Sequence, residues 1–148
     1  MRRILAPSLA FLIVLLCNAT PPAASAVEPT LDDIWENVFS PKCSECHGSG
    51  GFLGFKADTK QNAFDTLVNQ PAAFCPGEIR VVPNDADASY LIKKLEGTMD
   101  CGDQMPLGDP PLDGDTIAAI RAWINAGALF EEPTPVASAT WSAIKALY

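Results

Sequence analysis

The stretch "PKCSECHGSGG", residues 41 to 51, sets two cysteines and the only histidine of the chain within five positions. Such a C-x-x-C-H cluster constrains the fold strongly, because whatever engages both sulfurs and the imidazole must be housed beside the backbone. Three chemistries use it: redox exchange of a dithiol, a zinc site, and covalent attachment of haem. The rest of the sequence has to decide among them.

The amino terminus bears on the compartment. Arg2 and Arg3 precede the apolar run "ILAPSLAFLIVLLC", and "NATPPAASA" follows, with Ala24 and Ala26 set as A-x-A ahead of Val27. A charged start, a short apolar stretch and small residues at a cleavage point make a secretory signal peptide over residues 1–26. The strongest apolar part, Leu9 to Cys17, is shorter than the roughly 20 residues a membrane span needs. Cys17 is a candidate lipid-attachment cysteine, but Leu16 before it is bulky where a small residue is wanted. The chain is expected to be exported, as to a bacterial periplasm, and soluble after cleavage rather than anchored to a membrane.

Cleavage after Ala26 takes the chain from 148 residues to 122, enough for one ordinary domain. Loss of Arg2 and Arg3 takes the formal charge from −8 to −10. So acidic a surface argues against nucleic acid as a partner and suits a positively charged protein. Cys17 leaves with the signal, and Cys43 and Cys46 belong to the cluster. In an oxidising compartment the two that remain, Cys75 and Cys101, are expected to pair. Their bridge closes a loop of about 26 residues, worth roughly 3 kcal/mol on the loop-entropy account.

Helical periodicity organises the region from about residue 30 to 130. In "TLDDIWENVF" the apolar residues Leu31, Ile34, Trp35, Val38 and Phe39 fall on one helical face. Thr30 with Asp33 forms a variant capping box, and Ser40-Pro41 is expected to stop the helix just before Cys43. "KQNAFDTLVNQ" reads as a short helix closed by Pro71, and "AAFCPGEIRVVPND" as irregular or extended chain. "DASYLIKKLEG" reads as a helix with Asp87 as N-cap and Gly97 at its end. "TMDCGDQMPLGDPPL" holds too many glycines and prolines for a regular element. "DGDTIAAIRAWINAG" reads as a helix with Asp113 as N-cap, Ile117, Ile120 and Ile124 on one face, and Gly127 just past its end. The expected domain is 27–130. A linker, "EEPTPVASAT", and a short amphipathic tail, "WSAIKALY", occupy 131–148. That tail either packs back on the domain or docks a partner.

A helix leads into the cluster and glycines follow it, which fits poorly with a thioredoxin-type dithiol, where a strand feeds the motif. Zinc is a stronger rival, since Cys43, Cys46, Cys75 and Cys101 match a four-thiolate site, but it leaves His47 without a role. Covalent haem in an exported chain uses all three residues of the cluster. Thiols three positions apart reach the two vinyl groups on one side of a porphyrin, and the next residue turns its imidazole to the iron. No second histidine exists, so the sixth ligand falls to a methionine. Met105, before Pro106 in the glycine- and proline-rich loop, is the first candidate and Met99 the second, with an open sixth site behind both.

The helix before "CSECHG", with "RVVPNDADASYLIKKLEG", "QMPLGDPPLDGD" and "IAAIRAWINAGA", resembles the monohaem class I cytochromes c, most closely the cytochrome-c-like domains of exported bacterial proteins. The resemblance implies a mostly α cytochrome c fold, with helices and long irregular loops around one covalently bound haem c. It implies Cys43 and Cys46 as attachment points, His47 as proximal ligand and Met105 as distal ligand. It also implies that the first helix packs on the last, with Trp35 and Phe39 near Ile120 and Trp123. The chain departs from the family in having no proline between Gly48 and Gln70, where many members use the carbonyl before a proline to orient the proximal imidazole. Cys75, Cys101 and the tail from 131 also lie outside the basic pattern.

The expected function is single-electron transfer between redox partner proteins, not catalysis. The acidic residues are scattered, and no group stands out as one that processes a substrate. A haem sensor or ligand-binding module with a displaceable sixth ligand is the second reading. A haem-free zinc or disulfide module is the third.

Overall fold

The computed structural model describes residues 26–130. The signal peptide expected over 1–26 lies outside the described residues except for Ala26, and so does the tail expected over 131–148. The described chain is mostly helical and of the α class. Four α-helices, α1 (Leu31–Ile34), α2 (Lys60–Leu67), α3 (Tyr90–Glu96) and α4 (Gly114–Asn125), are joined by long connections.

The first helix does not stop at Ser40-Pro41. It passes from α1 straight into a π-helical segment, Trp35–Cys43, with Pro41 inside it. A proline removes one backbone donor, and its ring presses on the carbonyl four residues back. The wider register relieves that conflict, and Ser44 N–H donates to the Phe39 carbonyl five residues back at 3.1 Å. At the other end Thr30 Oγ1 accepts from Asp33 N–H at 3.2 Å. The Asp33 carboxylate accepts from Glu28 N–H at 2.7 Å, so the reciprocal bond reaches two residues further back than in a standard capping box.

α2 begins at the Thr59 cap, which accepts from Asn62 N–H at 3.1 Å. It ends at Leu67 rather than near Pro71, because Val68 turns extended and bridges Val81. From 68 to 89 the chain is held by isolated bridges, and among the described residues no strand forms. Asp87 does not cap α3. That position belongs to buried Ser89, whose hydroxyl accepts from Val82 N–H at 2.9 Å and donates to the Asp85 carbonyl at 2.7 Å. Asp87 instead pairs with Arg121 on α4.

α4 follows its sequence signals closely. Asp113 accepts from Thr116 N–H and from Thr116 Oγ1, both at 2.8 Å, and these bonds hold its carboxyl below the usual range. Ile120, Trp123 and Ile124 are fully buried, and Trp123 Nε1–H donates to the Leu129 carbonyl at 2.9 Å. The core joins Leu31, Phe39, Leu67 and Ile92 to these three side chains, and α1 packs on α4. Phe39 therefore shares a core with Ile120 and Trp123, while Trp35 lies partly buried against it.

Cys75 and Cys101 stand together at disulfide distance, with Cα atoms 6.2 Å apart. The pair ties the 68–89 region to the loop that follows α3. Replacing both by Ala is expected to lower unfolding stability by about 3 kcal/mol. Denaturant unfolding of the two proteins checks this, and peptide mapping of the intact chain is expected to recover 75 joined to 101.

Candidate functional site

The C-x-x-C-H residues occupy one turn of helix. His47 N–H donates to the Cys43 carbonyl at 2.8 Å, and Ser44 has helical φ and ψ. Residues i, i+3 and i+4 of a helix share a face, so Cys43, Cys46 and His47 project from the same side. The π-helical passage through Pro41 is what brings this turn up to the core. Cys43 is partly buried against the core, Cys46 is exposed, and both are unpaired thiols.

The glycine-rich loop then folds back on the histidine. Ala57 N–H donates to the His47 carbonyl, and the chain between passes through the left-handed conformation at Gly51, Leu53 and Gly54. At Gly54 (φ 82°) a Cβ would stand 2.8 Å from Arg80 Nη2, so both conformation and close approach require glycine. Arg80 locks the loop by donating to the Leu53 and Thr66 carbonyls, each at 2.8 Å. The result is a partner for the imidazole: His47 Nδ1 lies 3.2 Å from the Phe52 carbonyl oxygen.

A carbonyl oxygen only accepts, so the proton belongs on Nδ1, and Nε2 of the neutral ring keeps its lone pair for a metal. Burial lowers the His47 pKa, and the charge of Arg80 adds to this against the raising effect of the Phe52 and Phe55 backbone. The ring is therefore neutral, as ligation requires, at physiological pH. Phe55 packs against the imidazole with centroids 4.9 Å apart and meets Phe39 edge-on at 6.1 Å, which joins the histidine to the core.

Burial, aided by the Cys46 charge, pushes the Cys43 thiol up to about 12. A thiol protonated so far above neutrality is a poor nucleophile, which counts against dithiol exchange at this turn. The four-cysteine zinc arrangement is not assembled either. Cys75 and Cys101 stand with each other, and among the described residues no group of three or more His, Cys, Asp or Glu side chains is placed to hold a metal ion.

The methionines divide. Met105 is partly buried against the core, and its N–H donates to the Lys94 carbonyl at 2.9 Å; Met99 is not part of that packing. A crevice of about 430 Å³ separates Asn37, Val38 and Lys42 from Pro106, Leu112 and Thr116. Lys42 precedes Cys43 and Pro106 follows Met105 in the chain, but Cys43, Cys46, His47 and Met105 do not themselves line the crevice. Two unpaired thiols and an imidazole with its Nε2 available are the donor set that a covalently attached haem uses. Phe52 and Arg80 were not singled out as functional from the sequence; only the run of glycines after His47 hinted at a loop returning to the ring.

The chain matches no protein-family model, no curated protein and no solved structure. Among the described residues no helix is long and apolar enough to cross a membrane. What these residues define is a mostly helical domain that presents C-x-x-C-H on one helical face.

Proposed function

We propose that this chain is an exported monohaem c-type cytochrome that carries single electrons between redox partners. The observation that carries the reading is the His47–Phe52 hydrogen bond on a turn that also presents two unpaired thiols. Bound haem would supply an iron that cycles between ferric and ferrous states. The chain's own residues do the rest. Cys43 and Cys46 would hold haem by thioethers and His47 would offer Nε2 to its iron, while the Phe52 carbonyl keeps the imidazole proton on Nδ1. Phe39 lies in the core and Phe55 and Leu112 pack against it, and Met105 would serve as the sixth ligand. A fixed ligand pair and a packed surround keep rearrangement between oxidation states small. The acidic surface favours positively charged redox proteins over nucleic acid.

The test is export in a host with cytochrome c maturation, followed by haem staining after denaturing electrophoresis and optical spectra of both oxidation states. Haem that stays with the denatured chain and sharp low-spin bands on reduction are the expected result. A colourless chain would end the reading. Met105→Ala is expected to lower the potential by on the order of 100 mV and to open the ferrous protein to carbon monoxide, whereas Met99→Ala leaves both unchanged. A wild-type ferrous protein that already binds carbon monoxide readily would favour the ligand-binding reading instead.

A further inference from the structure

The segment that carries Met105 has no regular structure to hold it, yet it is tied to the end of α3: Gln104 Nε2–H donates to the Leu95 carbonyl at 3.1 Å, and the backbone from 101 to 105 is held largely by one residue. Lys94, in the last turn of α3, donates from Nζ to the Cys101 carbonyl at 3.2 Å and to the Asp103 carbonyl at 2.9 Å. Its own carbonyl accepts from Met105 N–H at 2.9 Å. The ammonium lies 5.2 Å from the centroid of the Tyr90 ring, and the Tyr90 hydroxyl also donates to the Cys101 carbonyl. At Gly102 (φ 70°) the chain passes so close that a Cβ would run into Nζ. Lysines near a helix end usually serve the helix's own last carbonyls. Neighbouring Lys93 is different: its ammonium pairs with Glu78 at 2.8 Å and bonds no carbonyl of residues 101–105.

We infer that Lys94 positions Met105, acting as a cationic clamp that holds residues 101–105 on the end of α3. This rests on the reading of Met105 as sixth ligand. The disulfide does not do this work alone. It fixes Cys101 only, and the four residues from there to Met105 can span about 13 Å, so a second anchor beyond Cys101 has to set where the thioether sits. Hydrogen bonds from an ammonium to two carbonyls are charge-assisted, and their loss shifts the balance between a seated and a lifted segment by about tenfold.

The experiment compares Lys94→Met, Gly102→Ala and Lys93→Met with wild type as full exported chains. Lys94→Met keeps the stem and removes the donor; Gly102→Ala displaces the ammonium from the other side. Imidazole added to the ferric protein competes with methionine for the iron. Both clamp variants are expected to bind it about tenfold more tightly, with a weakened methionine charge-transfer band, while Lys93→Met behaves as wild type. Unchanged imidazole affinity and an unchanged band in Lys94→Met would overturn the inference. Should the wild-type chain carry no haem, the functional reading fails by itself, and amide exchange at Met105 decides the clamp. Faster exchange in Lys94→Met and Gly102→Ala than in Lys93→Met upholds it, and equal exchange overturns it.

Discussion

A chain with both Cys43→Ala and Cys46→Ala is expected to run colourless on haem-stained denaturing gels, while one with Cys75→Ala and Cys101→Ala keeps its stain. The structure sorts the four cysteines into two pairs with different work. Cys43 and Cys46 are unpaired, on the turn that His47 closes by donating its N–H to the Cys43 carbonyl. Cys75 and Cys101 stand at disulfide distance and contact Tyr90 at the start of α3 rather than His47. Each sulfur forms its own thioether, so each single variant is expected to hold haem by one bond and to stain more weakly. Stain that persists in the first double variant would place attachment elsewhere. Stain lost in the second would mean that the Cys75–Cys101 pair, not the cluster, governs haem uptake.

Trp123→Ala is expected to destabilise the domain by about 3–5 kcal/mol, the largest single loss from any one side chain here. Trp123 is fully buried, the largest such side chain among the described residues, in the core that also holds Leu31, Ile34 and Phe39 of the N-terminal helix. Its removal leaves a cavity that backbone on both sides cannot close, and the Leu129 carbonyl loses its donor. Against a total of about 5–15 kcal/mol, such a loss leaves little margin. Denaturant unfolding at equal haem content measures it. Trp35→Ala, at a partly buried position, is expected to cost clearly less. A Trp123→Ala domain as stable as wild type would show that the meeting of first and last helices is not what holds the core.

Legibility in the sequence varied with how local the cause was. α4 was readable because its cap, its apolar spacing and its terminal glycine all act within a turn of the residues they affect. The caps at Thr30 and Asp113 and the meeting of Cys75 with Cys101 were likewise expected and are seen. The run through Pro41 was not, because a proline normally ends a helix and the π register that accommodates it gives no apolar signature. Asp87 looked like a cap on local grounds, but Arg121, 34 residues on, engages it, while Ser89 takes the cap position inside a network with Val82 and Asp85. α2 stops early for a similar reason, since pairing of Val68 with Val81 outweighs helix continuation.

The sequence by itself determined which atoms are available for chemistry: two thiols and one imidazole at i, i+3 and i+4, and two thioethers, Met99 and Met105, downstream of them. Covalent order sets those spacings, and no folding alters them. Only the tertiary structure decided what those atoms face. The Phe52 carbonyl reaches His47 because Arg80, far along the chain, holds the loop by the Leu53 carbonyl. Residues 101–105 lie where they do because Lys94 and Tyr90 on α3 bond their carbonyls. Both depend on hydrogen bonds between segments that meet only once the helices have packed, and such pairings leave no periodicity for the eye to find.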